Sequence, residues 1–89
     1  MKSNIETALK QLANWRYDDD SLSLEKEFEF KSYLKTISFV NAIAWLANKE
    51  NHHPELVVSF NKCIVRLTTH DEGGVGEKDF SLAKKIDAL

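Results

Sequence analysis

The chain's single proline, Pro54, constrains its fold more than any other residue. Proline disfavours the α conformation at the residue before it, so any helix running toward His53 must already have stopped. A helical pattern does run toward it. From Ser32 to about Asn51, Tyr33, Ile37, Val40, Ala44 and Ala47 form one apolar stripe, and Phe39, Ile43 and Leu46 form a second beside it. Beyond the proline the period becomes that of strands. Leu56 to Phe60 and Cys63 to Thr69 read as two β-runs separated by Asn61-Lys62, where asparagine tolerates the positive φ of a two-residue hairpin turn. With that turn, Phe60 faces Cys63, Val58 faces Val65, and the register carried to the open end sets His53 opposite His70, roughly 5 Å across the ladder. The chain's three histidines then share one pocket.

The remaining stretches fill in a single domain over residues 1–89. Ser3-Asn4-Ile5-Glu6 has capping-box spacing, and Ile5, Ala8, Leu9, Leu12 and Ala13 recur on one face of a first helix that should end near Asn14. Trp15-Arg16-Tyr17 is β-prone, Asp18-Asp19-Asp20-Ser21 is turn-like, and Leu24 to Phe30 alternates, with Glu25, Glu27 and Glu29 directed to water. Asp71 to Gly76 holds all three glycines and reads as a flexible turn. A last helix from about Glu77 to Leu89 buries Leu82, Ala83, Ile86 and Leu89, with Glu77 and Asp79 in its first turn, where carboxylates suit the helix dipole.

Composition narrows the class. With 43% hydrophobic and 29% charged residues, the chain is neither disordered nor membrane-spanning. Twelve basic and fourteen acidic residues are interspersed, giving a formal charge of −2 and no basic face for nucleic acid. The amino terminus lacks a secretory apolar run, so a cytoplasmic location is expected. The lone Cys63 excludes an internal disulfide. A domain this small buries only about 60 to 65% of its unfolded surface. The helix before Pro54 also has more apolar surface than one sheet face needs, so a homo-oligomer, dimer or tetramer, is expected.

Three histidines near neutral pH suit proton transfer. Their spacing matches none of the familiar zinc signatures, and adjacent histidines in an extended segment point apart, so no metal site is expected. Cys63, mid-strand among apolar residues, reads as a buried, inert thiol.

Across nearly its whole length the chain resembles the pterin-4a-carbinolamine dehydratases. The resemblance is carried by His52-His53-Pro54, by Phe60 six residues on, by Thr69-His70-Asp71, by the glycines that follow, and by Asp79 heading the last helix, with Trp15 and Phe28-x-Phe30 also in place. It implies an α+β fold of order α-β-β-α-β-β-α, a two-layer sandwich with helices on one face of a four-stranded antiparallel sheet. It also implies dehydration of a 4a-hydroxytetrahydropterin to the quinonoid dihydropterin with no cofactor. His52 and His70 are then the acid and base, and His53 mainly holds the pterin. Asn51, Thr68, Thr69 and Asp71 line the pocket, Trp15 either closes one side or lies in the core, and Asp79 fixes the last helix or orients a histidine. One position departs: the family usually carries a charged residue, commonly glutamate, four residues before the first histidine, and here that place is Asn48. The resemblance leaves open two other roles, a protein-binding coactivator and a pterin-related role in molybdenum cofactor metabolism.

Overall fold

A computed structural model describes residues 2–89, with side chains from Ile5 onward. The elements run α1 (Lys2–Leu9), β1 (Arg16–Asp18), β2 (Ser23–Glu29), α2 (Tyr33–Glu50), β3 (Glu55–Val58), β4 (Lys62–Leu67), a 3-10 turn (His70–Glu72) and α3 (Glu77–Asp87). Two hairpins join side by side into one antiparallel sheet of order β1-β2-β4-β3, with α2 as the connection between them. The fold is the expected α+β sandwich. No helix among the described residues is long and apolar enough to cross a membrane.

The pleat of β4 explains where the core sits. Cys63, Val65 and Leu67 alternate onto one face and are fully buried, together with Leu24 of β2, against Ile43 and Ala47 of α2 and Leu82, Ala83 and Ile86 of α3. At about 1.5 to 3 kcal/mol for each large apolar side chain removed from water, this layer dominates the stability of the domain. Burial also pushes the Cys63 thiol above its ordinary pKa, so it is a poor nucleophile. Trp15 belongs to the same core. It meets Phe28 edge-on at 6.2 Å and donates its indole N–H to Asp87 at 2.9 Å, which ties the end of α3 to the first strand.

Local chemistry sets the bounds of α2. Ser32 caps its start by accepting the Lys35 N–H at 3.1 Å. At its end Asn51 turns left-handed at φ 52°, and the His52 N–H returns to the Ala47 carbonyl at 3.1 Å. The helix therefore stops just where Pro54 requires.

Several expectations need correction. The helix α1 ends at Leu9, and the chain continues in tight turns to Leu12 before Asn14 reverses it at φ 66°. The capping box at Ser3 lies outside the described side chains. The apolar stripe of α2 is rotated: Thr36, Ile43 and Ala47 face the sheet, while Tyr33 and Ala44 are exposed. Leu89 lies past the end of α3 and is exposed. The segment after His70 is bonded rather than flexible, since Thr69 and Gly74 exchange backbone hydrogen bonds at 2.9 and 3.2 Å across the 3-10 turn.

The hairpin of β3 and β4 has its register two residues away from the expected one. Val58 pairs with Cys63 and Leu56 with Val65, because the Ser59 N–H bonds the Lys62 carbonyl at 2.9 Å and the turn falls on Phe60-Asn61 rather than on Asn61-Lys62. Continued outward, that register sets His53 opposite Thr68 and His70 opposite Asn51. Glu25 also departs from its row. Glu27 and Glu29 are exposed, whereas Glu25 is buried between Arg16 and Arg66 on the neighbouring strands.

Candidate active site

The open end of the β3–β4 hairpin brings two short segments together. Asn51, His52 and His53 leave α2 on one side, and Thr68, Thr69, His70 and Asp71 leave β4 on the other. These seven residues line one cleft of about 240 Å³. The 3-10 turn holds His70 and Asp71 at its rim, and Gly73 closes that turn at φ 73°, with its N–H on the His70 carbonyl at 3.0 Å.

Adjacent residues in extended backbone project to opposite sides, and the first two histidines divide accordingly. His52 is mostly buried, and its Nε2 lies 2.6 Å from Asp79 Oδ1. Asp79 is fully buried at the start of α3, and its second oxygen accepts the Thr69 hydroxyl at 2.8 Å and the Gly76 N–H at 2.9 Å. With the Thr69 and Gly76 donors both on Oδ2, Oδ1 is the oxygen left to accept from His52. The Nε2–H of His52 then points at Asp79, and Nδ1 is the nitrogen left to exchange a proton. His53 and His70, in contrast, are exposed.

The other residues singled out in the sequence fall outside the cleft. Asn48 is exposed and lines a neighbouring hollow of about 330 Å³ with Ile43, Ala44, Ala47 and Leu56, which His53 and Pro54 also border. Trp15 lies in the core as described, away from the histidines. No group of three or more metal-binding side chains occurs among the described residues. Sequence reasoning did not reach Ser21, Ser23, Glu55 and Arg66, which border a further hollow beside His53 and His70. The pairing that sets Arg66 beside Glu55 depends on the observed register of β3 and β4, which the sequence pattern does not fix.

Fold and site together define a class: a small α+β domain with a histidine cleft at the mouth of a hairpin, one histidine held by a buried aspartate from the last helix. The family described as Pterin 4 alpha carbinolamine dehydratase matches residues 1–89, and the chain belongs to that family. It is 49% identical over 85 residues to a protein of Hydrogenovibrio crunogenus provisionally named pterin-4-alpha-carbinolamine dehydratase, covering 96% of this chain and 75% of that one. A Nitrosospira multiformis protein of the same provisional name is 46% identical, covering 99% of this chain and 76% of its own. Among solved structures, a transcriptional coactivator/pterin dehydratase from Brucella melitensis superposes with a TM-score of 0.94 at 34% identity, covering 99% of this chain and 94% of its own. A pterin dehydratase-like protein identified as a RuBisCO assembly factor in the alpha-carboxysome gives 0.74 at 27% identity, covering 85% and 88%.

Proposed function

We propose that the chain dehydrates a 4a-hydroxytetrahydropterin to the quinonoid dihydropterin, acting in the cytoplasm on the product of an aromatic amino acid hydroxylase. The observation that carries this reading is the cleft itself, in which three histidines converge and one is braced by Asp79.

The reaction removes water across C4a and N5. The C4a–O bond breaks as a proton reaches the leaving oxygen, N5 gives up its proton, and the freed pair forms the C4a=N5 double bond. His52 suits the base. With Nε2–H committed to Asp79, its Nδ1 lone pair can take the N5 proton, and the buried carboxylate stabilises the resulting imidazolium. His70, exposed at the rim, suits the acid that protonates the leaving hydroxyl. His53 and the neighbouring backbone hold the ring. Loss of a general acid or base typically costs about 10²- to 10⁴-fold, so His52→Ala and His70→Ala should each lower turnover at least tenfold. The measurement is the decay of enzymatically generated 4a-hydroxytetrahydropterin with and without protein. Unchanged turnover in both folded variants would sink the assignment.

A role in binding without turnover is favoured by one observation, the exposed Tyr33, Leu34 and Trp45 on α2. The same apolar face supports self-association into a homo-oligomer. If decay is not accelerated but a pterin protects the chain against thermal unfolding, the binding role is the correct one.

A further inference from the structure

Thr69 is the most buried residue of the histidine cleft, at 9% exposure. Both of its polar hydrogens are committed within the protein. The N–H donates to the Gly74 carbonyl at 2.9 Å, and the hydroxyl donates to Asp79 Oδ2 at 2.8 Å. Its carbonyl in turn accepts from the Glu72 N–H at 2.9 Å and the Gly74 N–H at 3.2 Å. No hydrogen of Thr69 is left for a ligand, so its place in the cleft wall is not that of a group that grips the pterin.

The bond to Asp79 fixes a direction. Oδ2 holds both the Thr69 hydroxyl and the Gly76 N–H, which leaves Oδ1 2.6 Å from His52 Nε2. Gly76 caps α3, the helix that carries Asp79, so its N–H places the carboxylate relative to that helix alone. Thr69 stands just past β4, and its hydroxyl places the same carboxylate relative to the cleft. Threonine suits this task because its branched Cβ restricts χ1 and so holds the hydroxyl in one direction.

The backbone of the same residue sets His70. Thr69 is extended at φ −119° and ψ 92°, and the 3-10 turn that begins at His70 closes on its carbonyl. One residue thus reaches the buried histidine with its side chain, through Asp79, and holds the exposed histidine as its neighbour in sequence. The proposed reaction needs both in a single turnover, His52 as base and His70 as acid. We infer that Thr69 is a positioning residue that sets the Asp79 carboxylate against His52 with its hydroxyl and sets His70 with its backbone, an inference that rests on the dehydration reading of the cleft.

Thr69→Val removes the hydroxyl and keeps the shape and the backbone bonds. It should lower kcat at least about fivefold with KM within about twofold, since a hydrogen bond to the carboxylate is lost and no ligand contact is. Thr69→Ser, which keeps the donor, should recover most of that loss. In an Asp79→Asn background Thr69→Val should lower kcat by less than about twofold, because the carboxylate that the hydroxyl orients is already gone. A second readout needs no pterin. The Nε2–H proton of His52, 2.6 Å from a buried carboxylate, should give a far-downfield proton resonance, assigned by its absence from His52→Ala. That resonance should keep its position in Thr69→Ser and move in Thr69→Val. Thr69→Cys, with a weaker donor of similar size, replaces Thr69→Val if that variant unfolds. An unmoved resonance, an unchanged kcat, a rise in KM with kcat kept, or equal losses in the parent and Asp79→Asn backgrounds overturns the inference and leaves the dehydration reading intact. If the parent protein accelerates no decay, the dehydration reading falls and this inference with it, whether or not the resonance moves.

Discussion

Asp79 is the residue on which site and fold most depend together. Its carboxylate accepts from His52, Thr69 and Gly76, and so joins the end of α2, the end of β4 and the start of α3. Asp79→Ala leaves all three donors without their acceptor in a buried setting. That should cost about 3 kcal/mol, read as a lower urea midpoint. Asp79→Asn preserves the shape but turns an N–H₂ toward one of the donors and removes the negative charge that supports a protonated His52. A folded Asp79→Asn protein should therefore lose kcat at least about tenfold with little change in KM, because the residue acts through His52 and does not line the cleft. A rise in KM with kcat intact would mean that Asp79 shapes binding alone. In the sequence this residue is one of two acids in a helix's first turn, and the dipole explains both. Nothing in a linear pattern says that a histidine 27 residues earlier meets only one of them.

Most of the element order is legible because period and punctuation agree. Ser32, Asn51 and Pro54 bracket α2 closely, and alternation marks β2 and β4. The register of the second hairpin is not legible, for a definite reason. A slip of one residue would turn every side chain to the wrong face, but a slip of two keeps Cys63, Val65 and Leu67 buried, so hydrophobic pattern cannot detect it. The register is decided by the loop from Ser59 to Lys62, which Thr36 secures from α2. Its fully buried hydroxyl sits 2.8 Å from the Phe60 carbonyl and 2.9 Å from that of Ser32, with one hydrogen shared between them. Thr36→Val conserves volume but leaves the Phe60 carbonyl without this donor. It should cost about 1 to 2 kcal/mol in urea unfolding. A Thr36→Val protein as stable as the parent would mean that the loop is held by its own turn alone.

At the scale of the whole molecule, the surface left uncovered is the clearest guide. Leu34 and Trp45 are 76% and 75% exposed, and their spacing of eleven residues is three helical turns, so they lie on the same side of α2. Tyr33 extends that side, and Val57, Val58 and Phe60 add exposed apolar area along β3, an outer strand of the sheet whose free edge can pair with another chain. The core of a domain this size covers only about 60 to 65% of its unfolded surface, and a stable contact between copies needs about 800 Å² from each. Self-association through the outer side of α2 would remove these side chains from water at a single stroke, without requiring a foreign partner. The protein should therefore sediment as an oligomer at micromolar concentration. Trp45→Glu, which sets a charge at the centre of the proposed contact, should yield a smaller species at the same concentration while far-ultraviolet circular dichroism stays unchanged. If the parent protein sediments as a monomer under those conditions, α2 is not a contact between copies. The exposed side of that helix would then await a different protein partner.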